Sequence, residues 1–151
     1  MAYVFQYVRI LKLREDEEQV KKSELAKAQY LRDRAQADLV HLQEEKANFD
    51  EQRESRLLDG LKASELIWIH QSEQWFLDAI ETLRSNLRQA ELEVINARVA
   101  LVRATQEKKK FEKLKEISYA RYLEEEAAKE AVLVDSLVTY KSTINKGGDE
   151  G

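Results

Sequence analysis

From Leu66 onward, apolar residues return at alternating steps of three and four: Leu66, Ile69, Glu73, Phe76, Ile80, Leu83, Leu87, Ala90, Val94, Ala97, Leu101 and Ala104. Glu73 alone interrupts the apolar run. This spacing lines one stripe of an α-helix and defines a coiled-coil seam. Past Ala104 the frame weakens at Lys108, resumes at Phe111 and then drifts. An earlier stretch carries a thinner seam, Leu25, Ala28, Arg32, Ala35, Leu39, Leu42, Lys46 and Phe49, with Val4, Tyr7 and Leu11 upstream. The pattern predicts two helices, from about Val4 to Leu57 and from about Ser64 to Tyr140, of roughly 80 and 115 Å.

Folding the chain at residue 61 brings the two seams together. Leu42 then faces Ile80, Leu39 faces Leu83, Ala35 faces Leu87, Ala28 faces Val94, and Leu11 faces Phe111. This agreement favours an intramolecular hairpin over a parallel dimer. The expected fold class is all-α: two long helices forming an antiparallel coiled-coil hairpin over residues 1–141, bent near 58–63. Residues 142–151 read as a flexible polar tail that ends in Gly147, Gly148, Asp149, Glu150 and Gly151. Val4 falls opposite Ser118, so the second helix should overhang by about twenty residues. That overhang keeps Leu123, Ala127, Val134 and Leu137 at helical spacing. An apolar stripe without an internal partner either frays or is covered by another molecule.

Composition says why such long helices are possible. The 151 residues include no Pro, and three of the four Gly lie in the last five positions, leaving Gly60 as the permissive residue in the body. Pro and Gly cost roughly 3 and 1 kcal/mol inside a helix, so their exclusion favours unbroken helix. Asp59-Gly60 is the turn signal, and Ser64 is the expected N-cap of the second helix, with Glu65 in its first turn. Charged residues make up 36% of the chain, yet 25 basic against 29 acidic side chains leave a net charge of −4. Interspersed signs suit solvated helix faces rather than a nucleic-acid footprint. The short run Lys108-Lys109-Lys110 is flanked by Glu107 and Glu112 and reads the same way. No transmembrane span or secretory signal is expected, and the reading is of a cytoplasmic protein.

Candidate chemistry is sparse. Cys is absent, and His41 and His70 are isolated from any ligand spacing. No Gly-rich loop is present to cradle a phosphate, so no catalytic residue, metal site or cofactor is expected, and the chain is not read as an enzyme. Two outward features are more informative. Trp68 and Trp75 lie seven residues apart on one face near the bend. They either face a partner or fold back over the seam beside Phe49 and Phe76. Leu92, Ile95, Val99 and Val102 form a second stripe away from the first helix. That stripe signals a partner, self-association or a locally rotated seam.

Taken together these residues resemble the flagellar export protein FliJ family of the bacterial flagellar type III secretion apparatus. The resemblance runs from about Tyr3 to Val138. It rests on Phe5 with Leu11-Lys12-Leu13 and the acids Glu15 to Glu18, then on the bend Leu57-Leu58-Asp59-Gly60-Leu61 and the run from Glu65-Leu66 to Ala79-Ile80. Lys110-Phe111-Glu112-Lys113-Leu114 follows, before Glu124-Glu125, Lys129-Glu130 and Asp135. Lys62 departs from the small hydroxyl residue that relatives often carry two positions after the bend glycine.

The resemblance implies a non-enzymatic export component similar to the gamma-subunit stalk of rotary ATPases. It would work in flagellum biogenesis and motility, peripherally associated with the cytoplasmic face of the membrane at the flagellar base. Implied partners are the hexameric export ATPase, the cytoplasmic part of the export gate membrane protein, and export chaperones, with no nucleic acid and no direct membrane insertion. By family pattern the ATPase would meet Phe5, Leu11, Leu13, Phe111 and Leu114, and the gate would meet Leu42, Phe49, Phe76 and Ala79. The alternative is a generic structural scaffold that acts through its outer hydrophobic stripes.

Overall fold

The computed structural model describes residues 2–148. Two long helices, α1 (Val8–Asp59) and α2 (Ala63–Gly148), pack against each other, and no strand occurs among the described residues. α1 starts four residues later than the apolar pattern suggests, because residues 2–7 are non-helical. The turn before it closes with the Val8 N–H donating to the Phe5 carbonyl at 3.3 Å and the Leu11 N–H to the Tyr7 carbonyl at 2.9 Å.

Gly60 takes a φ of +88°, the left-handed conformation that costs a side-chain-bearing residue its steric comfort. A Cβ there would meet nothing within 4 Å, so the backbone angle, not crowding, sets the requirement for glycine. α2 then opens one residue before the expected Ser64. The Lys62 carbonyl accepts the N–H groups of Glu65 and Leu66, both at 3.1 Å, which makes Lys62 the capping position. A lysine side chain has no acceptor to offer the exposed first-turn N–H groups. Glu65 is the acid of that first turn.

Packing divides the chain into two units, Glu17–Ala104 and Met1–Asp16 with Thr105–Gly151. Within Glu17–Ala104 the core is the cluster Leu39, Leu42 and Ile80, covered by Phe76, Ala79, Leu83 and Leu87. Position numbers fall on α2 as they rise on α1: Phe49 meets Phe76 and Arg53 meets Glu73. The two segments are therefore antiparallel, with the seams facing as the pattern predicts. Val94, at 2% exposed, is the most deeply buried residue of the seam. Leu66 departs from its expected place and lies exposed beside the bend.

The polar interruptions of the seam have physical partners. Glu73, the one acid in the α2 run, binds Arg53 across the helices at 3.1 Å. Lys46 holds Asp50 at 2.8 Å one turn along α1. Long basic stems at such positions lay methylene groups over the seam while their charged ends reach its edge. Glu18 is buried, and its carboxylate accepts from Lys22 at 3.2 Å. Where the apolar content of α1 is thin, buried or half-buried charged side chains occupy these positions.

In the other unit, the segment before α1 lies against α2. The Tyr3 hydroxyl donates to the Lys115 carbonyl at 3.3 Å, and its ring meets Tyr119 and Tyr122 at 5.1 and 5.3 Å. Past Tyr122 only Glu126 is half-buried, and 127–147 are exposed throughout. The overhang is helical as far as Gly148. The expected polar tail therefore begins, in its first residues, as more helix. Nothing from Lys141 to Asn145 breaks a helix, and the Thr143 hydroxyl bonds back to the Thr139 carbonyl at 2.9 Å. The remainder of that tail, 149–151, lies outside the described residues.

Candidate interaction surfaces

No group of His, Cys, Asp and Glu able to hold a metal ion occurs among the described residues. His41 sits in an exposed i, i+4 pair with Glu45 at 3.1 Å, the arrangement of any solvated helix face. Among the described residues no helix is long and apolar enough to cross a membrane. The surfaces that remain are aromatic and aliphatic.

The first is built where the chain begins. Phe5 and Leu11 are each 6% exposed and form part of the core of their unit. Tyr7 stacks edge-on to Phe5 at 5.8 Å and to Phe111 at 6.3 Å, and the Arg14 guanidinium lies 5.9 Å from the Phe111 ring centre. Tyr119 and Tyr122, one turn apart, stack at 6.3 Å. A hollow of about 700 Å³ opens beside this cluster, between residues 2–7 and a face of α2 that includes Ile117, Arg121 and Glu125. Of the five residues that the family pattern assigns to the ATPase, Phe5 and Leu11 face inward and Phe111 is half-buried. Leu13 and Leu114 are the two that meet solvent. Tyr3, Tyr119 and Tyr122 carry no heptad signal in the sequence; α2 sets Tyr119 beside Tyr122, and the fold of residues 2–7 brings Tyr3 onto both.

The second surface lies beside the bend. Phe49 packs on Phe76 at 5.2 Å and on Trp68 at 6.0 Å, while Trp75 meets Phe76 edge-on at 5.1 Å. Both tryptophans touch seam aromatics and still leave 56% and 58% of their surface in solvent. The two readings of these rings are therefore both right in part: one face of each is supported by the seam and the other is presented. Gln71 and Ser72 line the shallow hollow between them. Of the four residues assigned to the gate, Leu42 is in the core, Phe76 and Ala79 are half-buried against it, and Phe49 is half-buried against Phe76.

The third surface is the outer stripe. Leu92, Ile95, Val99 and Val102 are all exposed, while Val94, Ala97, Leu101 and Ala104 occupy the seam. A rotated seam would have reversed that assignment, so the stripe is a true outer face.

These features define a coiled-coil protein of two packed helices that carries exposed apolar faces. The chain matches the family model described as flagellar FliJ protein over residues 4–146 and belongs to that family. The searches of curated proteins and of solved structures returned no match. The family is a structural component of flagellar export.

Proposed function

We propose that this chain is a non-enzymatic coupling component of the flagellar type III export apparatus, bridging the export ATPase ring, the export gate and substrate chaperones. The observation that carries this reading is the family match over residues 4–146. Two packed helices resemble, in this reading, the gamma-subunit stalk of rotary ATPases, which works by fitting into a ring. The protein would act in the cytoplasm, at the membrane face of the flagellar base.

The unit that contains the chain start serves the ATPase ring through Leu13 and Leu114, while Phe5, Leu11 and Phe111 hold the shape of that surface from within. The gate is met beside the bend. Leu42, Phe49, Phe76 and Ala79 act there chiefly as the support on which Trp68 and Trp75 stand, because exposed aromatic area is what an interface can desolvate.

Purified chain mixed with its cognate export ATPase is expected to form a complex and raise ATP turnover by promoting ring assembly. Leu13→Asp with Leu114→Asp is expected to remove the effect without loss of helix content. No complex and no change in turnover with the unaltered chain would defeat the proposal. The exposed outer stripe favours a second reading, a structural scaffold. Retained export in cells lacking the ATPase contact but not in a Val99→Asp variant would favour that scaffold.

A further inference from the structure

The C-terminal part of α2 carries a wide apolar face that nothing within the described residues covers. Leu133, Val134, Leu137, Val138, Tyr140 and Ile144 are between 52% and 64% exposed. At 100° per residue they span less than half of the helix circumference. Glu130 and Lys141 fall in the middle of that face, and among the described residues neither has an ion-pair partner. Eleven positions apart, they are roughly 16 Å from each other along the helix and do not meet.

We propose that this face pairs with the same face of a second copy, antiparallel, about a two-fold axis near residues 135 and 136. Three observations select this occupant. The positions Ala127, Glu130, Val134, Leu137, Lys141 and Ile144 repeat at alternating steps of three and four, as a seam requires. In the antiparallel register Val134 meets Leu137 of the second copy, Ala127 meets Ile144, and Glu130 meets Lys141. Each of the two central charges then faces its opposite, twice over by symmetry. A parallel pair would stack Glu130 on Glu130 and Lys141 on Lys141, and an apolar partner would leave both charges buried alone.

The area agrees. Six half-exposed side chains of about 100 Å² each give on the order of 600 Å² per copy and 1,200 Å² in the pair, the lower end of a specific interface. The expected association is a reversible dimer in the micromolar range. It would occupy the C-terminal face and so compete with any other partner that uses it.

The test is a charge exchange read by sedimentation equilibrium on the full chain. The unaltered protein is expected to dimerise with rising concentration. Glu130→Lys and Lys141→Glu should each raise the dissociation constant at least about tenfold, since each places two like charges face to face. A mixture of the two variants is expected to dimerise again, because in the mixed pair both contacts are complementary. Circular dichroism of each variant, unchanged from the parent, keeps loss of helix from imitating loss of contact. A chain that stays monomeric at about 500 μM overturns the proposal. So do single variants that dimerise as the parent does, a mixture that behaves like its components, or a dimer abolished only by Val99→Asp on the outer stripe.

Discussion

The segment Ile69–Ala104 and the segment beyond Tyr122 belong to one helix, with the same absence of proline and the same mixture of helix-forming residues. In the first, one stripe is buried against α1 and Val94 is nearly closed to solvent. In the second, apolar side chains are still frequent, and every one of them is exposed from Ala127 to Gly147. The difference lies in the partner and not in the helix. Helix propensity is local, whereas burial needs a facing surface, and α1 with the segment before it supplies that surface only as far as Tyr3 reaches. Along the seam-facing side of α2, an apolar residue is therefore structural or available according to where the opposing chain ends, while the outer stripe is open throughout.

Substitutions can sharpen that contrast. Leu42→Ala removes a core side chain and is expected to cost about 3 kcal/mol in urea unfolding, whereas Leu137→Ala should cost less than about 0.5 kcal/mol in dilute solution. Equal costs would mean that the overhang is already packed. Phe5→Ala is comparable, at about 3 kcal/mol, and should lower hydrogen-exchange protection around residues 111–122 more than in the Leu39–Leu42 turn. Uniform loss across both units would break the division between them. Gly60→Ala forces a left-handed angle on a Cβ and is expected to lower stability by about 1 kcal/mol, with both helices retained by circular dichroism. The smallest effect is the Arg53–Glu73 pair, whose coupling in a double-mutant cycle should be about 0.5 kcal/mol and should shrink in high salt.

Much of the fold was legible in the sequence because its devices are local or periodic. One interior glycine in a proline-free chain marked the bend, and the three-four spacing of α2 named its seam from Ile69 to Ala104. The cap lies two positions before the expected Ser64, which has the better capping side chain, because the backbone turns at Lys62. The candidate surfaces were less legible. Heptad spacing put Leu42, Phe49 and Phe76 in the seam, and family pattern put them at a partner; their burial agrees with the seam. For the tryptophans, spacing fixed the side of the helix on which they stand. It could not say whether rings that large would reach back to Phe49 and Phe76, which depends on side-chain rotation and on the neighbouring helix.

By itself, then, the sequence determined helix, bend, seam and the pairing of α1 with α2 in the Leu39–Leu87 region. All of these follow from backbone propensity and from which residues share a face. Tertiary structure alone decided that residues 2–7 leave the helix to gather the tyrosines. It decided that charged stems complete the α1 seam, and that the outer stripe and the C-terminal face remain open. Those outcomes depend on what stands opposite each side chain, and periodicity along one chain contains no record of that.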